Sequence, residues 1–76
     1  MSGTDDFRVV LFESTSAALL AEKVLKRASI PHKVIPVPRH ISSDCGVCIR
    51  FAAADNEAVE SALTADRVPF QGIRSL

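Results

Sequence analysis

The chain has 76 residues, with nine Lys plus Arg against nine Asp plus Glu and 47% hydrophobic residues. That describes one packed domain over 1–76, too short for two domains and too apolar for a disordered tail. Balanced charge, with four Phe and no Trp or Tyr, argues against nucleic acid as a partner, and no apolar run approaches the ~20 residues that cross a membrane.

The first six residues, Met1 to Asp6, are polar and acidic and are expected to form a disordered tail. A signal peptide begins basic and turns apolar, so a cytoplasmic location with reduced cysteines is the expectation.

Phe7 to Glu13 (FRVVLFE) is short and rich in β-branched and aromatic residues, and predicts a strand at least partly buried on both faces. Ser14, Thr15 and Ser16 follow as natural helix N-caps. Ala17, Leu20, Ala21, Val24, Leu25 and Ala28 then recur at helical spacing and predict one apolar stripe, ended by Pro31. Lys33 to Val37 predicts a second strand, and Pro36 and Pro38 place it at a sheet edge. Arg39 to Asp44 is a polar loop, and Gly46 permits a turn. Val47 to Phe51 alternates like a strand, with Val47, Ile49 and Phe51 toward the core and Cys48 and Arg50 toward the opposite face. Asp55 marks the N-cap of a second helix with the stripe Ala58, Val59, Ala62 and Leu63, ending before Pro69. Phe70 to Leu76 predicts a last strand, interrupted by Gly72.

The order βαββαβ predicts an α+β, ferredoxin-like fold: a four-stranded antiparallel sheet of order 4-1-3-2 with two helices on one face. In that topology the strand 1–helix 1, strand 2–strand 3 and helix 2–strand 4 connections share one end of the sheet. Cys45 would then lie near the N-terminus of helix 1.

Cys45-Gly46-Val47-Cys48 is a C-x-x-C, a pattern of redox pairs, half metal sites and nucleophilic thiols. A disulfide needs Cα atoms within roughly 7 Å, which three extended residues exceed unless Gly46 turns the chain sharply. A helix N-terminus stabilises a thiolate, and Arg39 and His40 would add to that. The result is an anion-binding thiol suited to a persulfide or selenide, whose terminal atom is also anionic. The plain alternative is a small loop cysteine of ordinary reactivity. A closed zinc site needs four ligands, which Cys45, Cys48, His40 and His32 would supply only in an unfamiliar spacing or across a dimer. No metal and no cofactor is therefore assigned. Arg39 follows a stiff Pro-Val-Pro run and is a candidate clamp for a carboxylate or phosphate, while Ser42 and Ser43 could equally serve as turn residues.

Together these residues resemble a small bacterial family, the selenium/sulfur carrier protein-like family. The resemblance rests on Phe12-Glu13-Ser14-Thr15, on the helix segment 21–26 (AEKVLK), on Ile30-Pro31, on residues 35–46 (IPVPRHISSDCG) and on Ile49-Arg50-Phe51. It spans about residues 7–73. It implies chalcogen carriage, with Cys45 and Gly46 matching the motif. Cys48 stands where that family more often has an aliphatic or small residue. The Cys-Pro-x-Pro motif of the better-known sulfurtransferase carriers is missing, so their mechanism does not transfer.

Two functions are expected on this basis. One is a carrier or accessory protein, not a complete enzyme, with Cys45 as the carrier thiol. Arg39, Ser42, Ser43, Gly46, Ser14, Thr15 and Ser16 would hold the anion, and a protein partner would give or take the chalcogen. The other is a non-catalytic binding or dimerisation module that takes a small anion through Arg39 and the helix 1 N-terminus. Fold-level analogy adds a homodimer through the open sheet face.

Overall fold

A computed structural model of the chain describes residues 6–41 and 46–76. The element order is β1 (Phe7–Leu11), α1 (Thr15–Arg27), β2 (Lys33–Pro36), β3 (Val47–Ala52), a 3₁₀ turn (Ala53–Asp55), α2 (Asn56–Ala65) and β4 (Gly72–Ser75). All strand pairs are antiparallel, in the order β2-β3-β1-β4. This is the βαββαβ, ferredoxin-like α+β fold that the alternation of periods predicts. Asp6, placed in the tail on sequence grounds, accepts a hydrogen bond from the Ala53 N–H at 3.0 Å through its carbonyl.

β1 is central and apolar on both sides. Val10 and the following Phe12 join Ile49 and Phe51 of β3 in the main core, against Ala17, Ala18, Ala21, Val24 and Leu25 of α1 and Val59 and Leu63 of α2. Both helices therefore cover one face. Val9 and Leu11 point the other way and are equally buried, in a second cluster with Cys48. Val37 and Ile41, together with Ile35 of β2, pack against that cluster. The chain beyond β2, expected to be only a polar loop at the sheet end, thus leans across the helix-free face.

α1 begins as predicted. Ser14 is extended, and its Oγ accepts the Ala17 N–H at 3.2 Å. The buried stripe is rotated from the expected one. Ala18 is buried, whereas Leu20 is 46% exposed and Ala28 is exposed. Ala17, Ala18, Ala21, Val24 and Leu25 fix the direction that faces the sheet, and Leu20 falls roughly 100° from the centre of that arc. Small Ala side chains bring the helix axis close to the strands. Ala28 is the C-cap, beyond the last turn that the sheet covers.

Pro31 does not end α1; a local turn does so first. The Ile30 N–H reaches the Leu25 carbonyl at 3.0 Å and the Ser29 N–H reaches Lys26 at 3.1 Å, the paired bonds of a Schellman motif. α2 ends in the same way, with Val68 bonded to Leu63 at 2.8 Å and Arg67 to Thr64 at 3.0 Å. Ser29 (φ 59°) and Arg67 (φ 56°) hold the left-handed position that glycine usually takes. Asp55 is at the N-cap of α2 but makes no side-chain cap bond, because the 3₁₀ turn leads into the helix. Ala58 is exposed, so the α2 stripe narrows to Val59 and Leu63 with Ala62 half-buried. β4 starts at Gly72, and Phe70 instead packs beside the main core.

An L-residue in the left-handed region costs roughly 1–2 kcal/mol, so Ser29→Gly should raise stability by about 0.5–1 kcal/mol in urea unfolding. An unchanged or lower midpoint would contradict the assigned turn.

Candidate functional site

Register fixes which ends of the strands meet. Leu11 pairs with Cys48 on one side and with Gly72 on the other, and Pro36 pairs with Val47. The end of β1, the end of β2 and the starts of β3 and β4 therefore share one end of the sheet. Ser14 and Gly46 both belong to that end, as the topology predicts.

Cys45, Ser42 and Ser43 lie outside the described residues, so the structure bears only on what flanks them. On one flank, Ile41 donates its N–H to the Pro38 carbonyl at 3.0 Å and packs against the second cluster. On the other, the Gly46 carbonyl accepts the Val37 N–H at 3.2 Å, one step beyond the β2–β3 ladder. The connection is thus anchored on both sides of its central residues. Arg39 and His40 are exposed within the first flank. Among the described residues, neither has a hydrogen-bond or ion-pair partner.

The proposed anion ligands start from opposite sides of the sheet. Ser14 introduces α1 on the helix face, while Val37 and Ile41, which bracket Arg39, sit on the helix-free face. Ser14 already uses its oxygen as a cap. Thr15 and Ser16 are exposed at the first turn of α1, where N–H groups and the helix dipole favour an anion.

Gly46 needs neither special backbone freedom nor a close neighbour. No described glycine has a positive φ, and a Cβ built at Gly46 meets nothing within 4 Å. Any need for glycine there would come from a bound group, not from the fold.

Cys48 is buried, with 0% exposure, between Leu11 and Ile35 in register on the helix-free face. In this position it fills core volume, as an aliphatic residue would. His32 is held by its own backbone: Nδ1–H donates to the Ile30 carbonyl at 2.7 Å. Among the described residues no group of three or more His, Cys, Asp or Glu is placed to hold a metal ion. Nor is any helix among them long and apolar enough to cross a membrane.

Comparison with known proteins agrees with the family resemblance seen in the sequence. The model of the family described as "Putative Se/S carrier protein-like" matches residues 7–75, nearly the whole chain. The chain belongs to that family. No curated protein and no solved structure matches it.

Two substitutions separate scaffold from site. Gly46→Ala should leave the unfolding midpoint within about 0.5 kcal/mol of the native chain, because the added methyl meets open space. Cys48→Ser should lower stability by about 1–3 kcal/mol by placing a hydroxyl in an apolar cluster. A destabilised Gly46→Ala or a neutral Cys48→Ser would contradict these placements.

Proposed function

We propose that the protein carries sulfur or selenium on Cys45 as a persulfide or selenosulfide and delivers it to a partner enzyme. The single observation in support is membership of the carrier-like family over residues 7–75. The backbone bonds that hold the β2–β3 connection on its two described flanks, at Ile41 and at Gly46, support this reading.

The chemistry is exchange without net oxidation. The Cys45 thiolate attacks the outer sulfur of a donor persulfide, forming the new S–S bond as the donor thiolate leaves. Delivery reverses this: an acceptor thiolate takes the outer sulfur and Cys45 departs as thiolate. Both steps need Cys45 deprotonated and the terminal anion held. Arg39, Ser42, Ser43 and the first turn of α1 (Ser14, Thr15, Ser16) are the groups assigned to that. Gly46 leaves room for the bound atom. Donor and acceptor are proteins that present a thiol or persulfide.

Exposed cysteine titrates near pH ~8.5, and cationic or helix-terminal neighbours bring it to roughly 3.5–7.5. The alkylation rate against pH, with the adduct located by mass spectrometry, reads this directly at Cys45. Cys48 is buried and should react slowly in the folded chain. A thiol pKa below 7 that rises in Arg39→Ala is the expected result. An ordinary value would refute the carrier role and favour an anion-binding module, which should tolerate Cys45→Ser and fail with Arg39→Ala.

A further inference from the structure

Four charged residues fall within the strands, Arg8, Lys33, Arg50 and Arg74, and all are basic. Arg8 turns to the helix face, where its Nη1–H donates to Asn56 Oδ1 at 3.3 Å. The other three form one row across the sheet: Lys33 opposite Arg50, Arg50 opposite Val9, and Val9 opposite Arg74. Directly opposite residues point to the same side of a sheet, so the row lies on the helix-free face. No acidic residue lies in any strand. Glu22, Asp55, Glu57, Glu60 and Asp66 lie on or beside the two helices. A chain of zero formal charge is therefore divided into a cationic sheet face and a helical side that holds most of its acids.

No ion pair among the described residues accounts for this arrangement. Like charges directly opposite on a sheet destabilise it, whereas Lys33 facing a carboxylate would stabilise it. Among the described residues none of Lys33, Arg50 and Arg74 has an acidic partner, the ion pair found there being Arg27–Asp66 at 3.2 Å on the helical side. Arg50 is held in place by Phe7, its guanidinium 4.7 Å from the ring centroid. A shallow depression lined by Phe7, His32, Lys33, Arg50 and Ala52 adjoins the row.

We infer that this face docks an acidic protein segment, its carboxylates crossing the strands from Lys33 to Arg74. Neighbouring strands are about 4.8 Å apart, so the row spans roughly 14 Å, which a few acidic side chains of one helix face or extended segment would match. A second copy of this chain does not fit, because a twofold contact here would bring six cations together. Nucleic acid fits poorly as well: Phe7 is the exposed aromatic of the face, and Arg50 already covers its ring. The docking surface stands whether or not Cys45 carries a chalcogen.

The test titrates an oligo-glutamate peptide into the full chain at low salt, following backbone amides by NMR. Expected are shifts at Phe7, Val9, Lys33, Arg50 and Arg74, lost on adding salt. The double variant Lys33→Glu/Arg74→Glu, at exposed positions, should weaken binding by about tenfold or more. Lys23→Glu/Lys26→Glu on α1 carries the same charge change and should leave it unaltered. Shifts confined to the helices, or equal loss in both double variants, would overturn the inference. So would tighter binding at the row of a single-stranded oligonucleotide or an anionic vesicle, or sedimentation as a dimer abolished by Lys33→Glu/Arg74→Glu.

Discussion

The structure depends on covering both faces of β1 with too little chain. Val10 and Phe12 take one side and Val9 and Leu11 the other, and all four are essentially buried. Two helices suffice for one face only. A domain of this size buries roughly 60–65% of the surface its unfolded chain exposes, so an uncovered apolar half would leave little net stability. The second face is closed instead by the chain leaving β2, through Val37 and Ile41. That segment leads directly toward Cys45, so residues that precede the cysteine in sequence also complete the core. The candidate site and part of the scaffold therefore belong to the same connection.

The helix-free face is consequently divided. Toward the end shared by the connections it is apolar, with Leu11, Cys48 and Ile35 in one row under Val37 and Ile41. One row further along it is cationic, with Lys33, Arg50 and Arg74. The division explains how Cys48 fits into a sheet face that first seems open to solvent: it lies under the covered half. A partner drawn to the cationic half would sit beside the anchored connection and need no contact with either helix.

Much of the architecture was legible in the sequence because it follows from local periodicity. The unbroken apolar run of β1 reads as a two-sided strand, Ser14 reads as a cap, and the prolines after Ile35 read as a sheet edge; each is found as such. Where the sequence misleads, the cause is tertiary. Leu20 fits the helical period, but Ala17, Ala18 and Ala21 decide which arc approaches the sheet. Ser29 and Arg67 carry no glycine signal for the turns they make. Val37 reads as the last residue of the second strand and Ile41 as part of a polar loop, since nothing local reveals that the second face lacks cover. The cationic row was equally hidden, because Lys33, Arg50 and Arg74 become neighbours only through the register of three strand pairs. Of the candidate site, the motif and the shared sheet end could be read from sequence. That Arg39 and Ser14 start from opposite faces could not.

The central claim is that Cys45, and not Cys48, is the thiol that takes up chalcogen. Its most direct test is to expose the folded chain to a low-molecular-weight persulfide and map the added sulfur by peptide mass spectrometry. One sulfur on Cys45, removed by a thiol acceptor and absent in Cys45→Ser, is the predicted result. An unmodified Cys45, or sulfur found equally on both cysteines of a folded chain, would contradict the account.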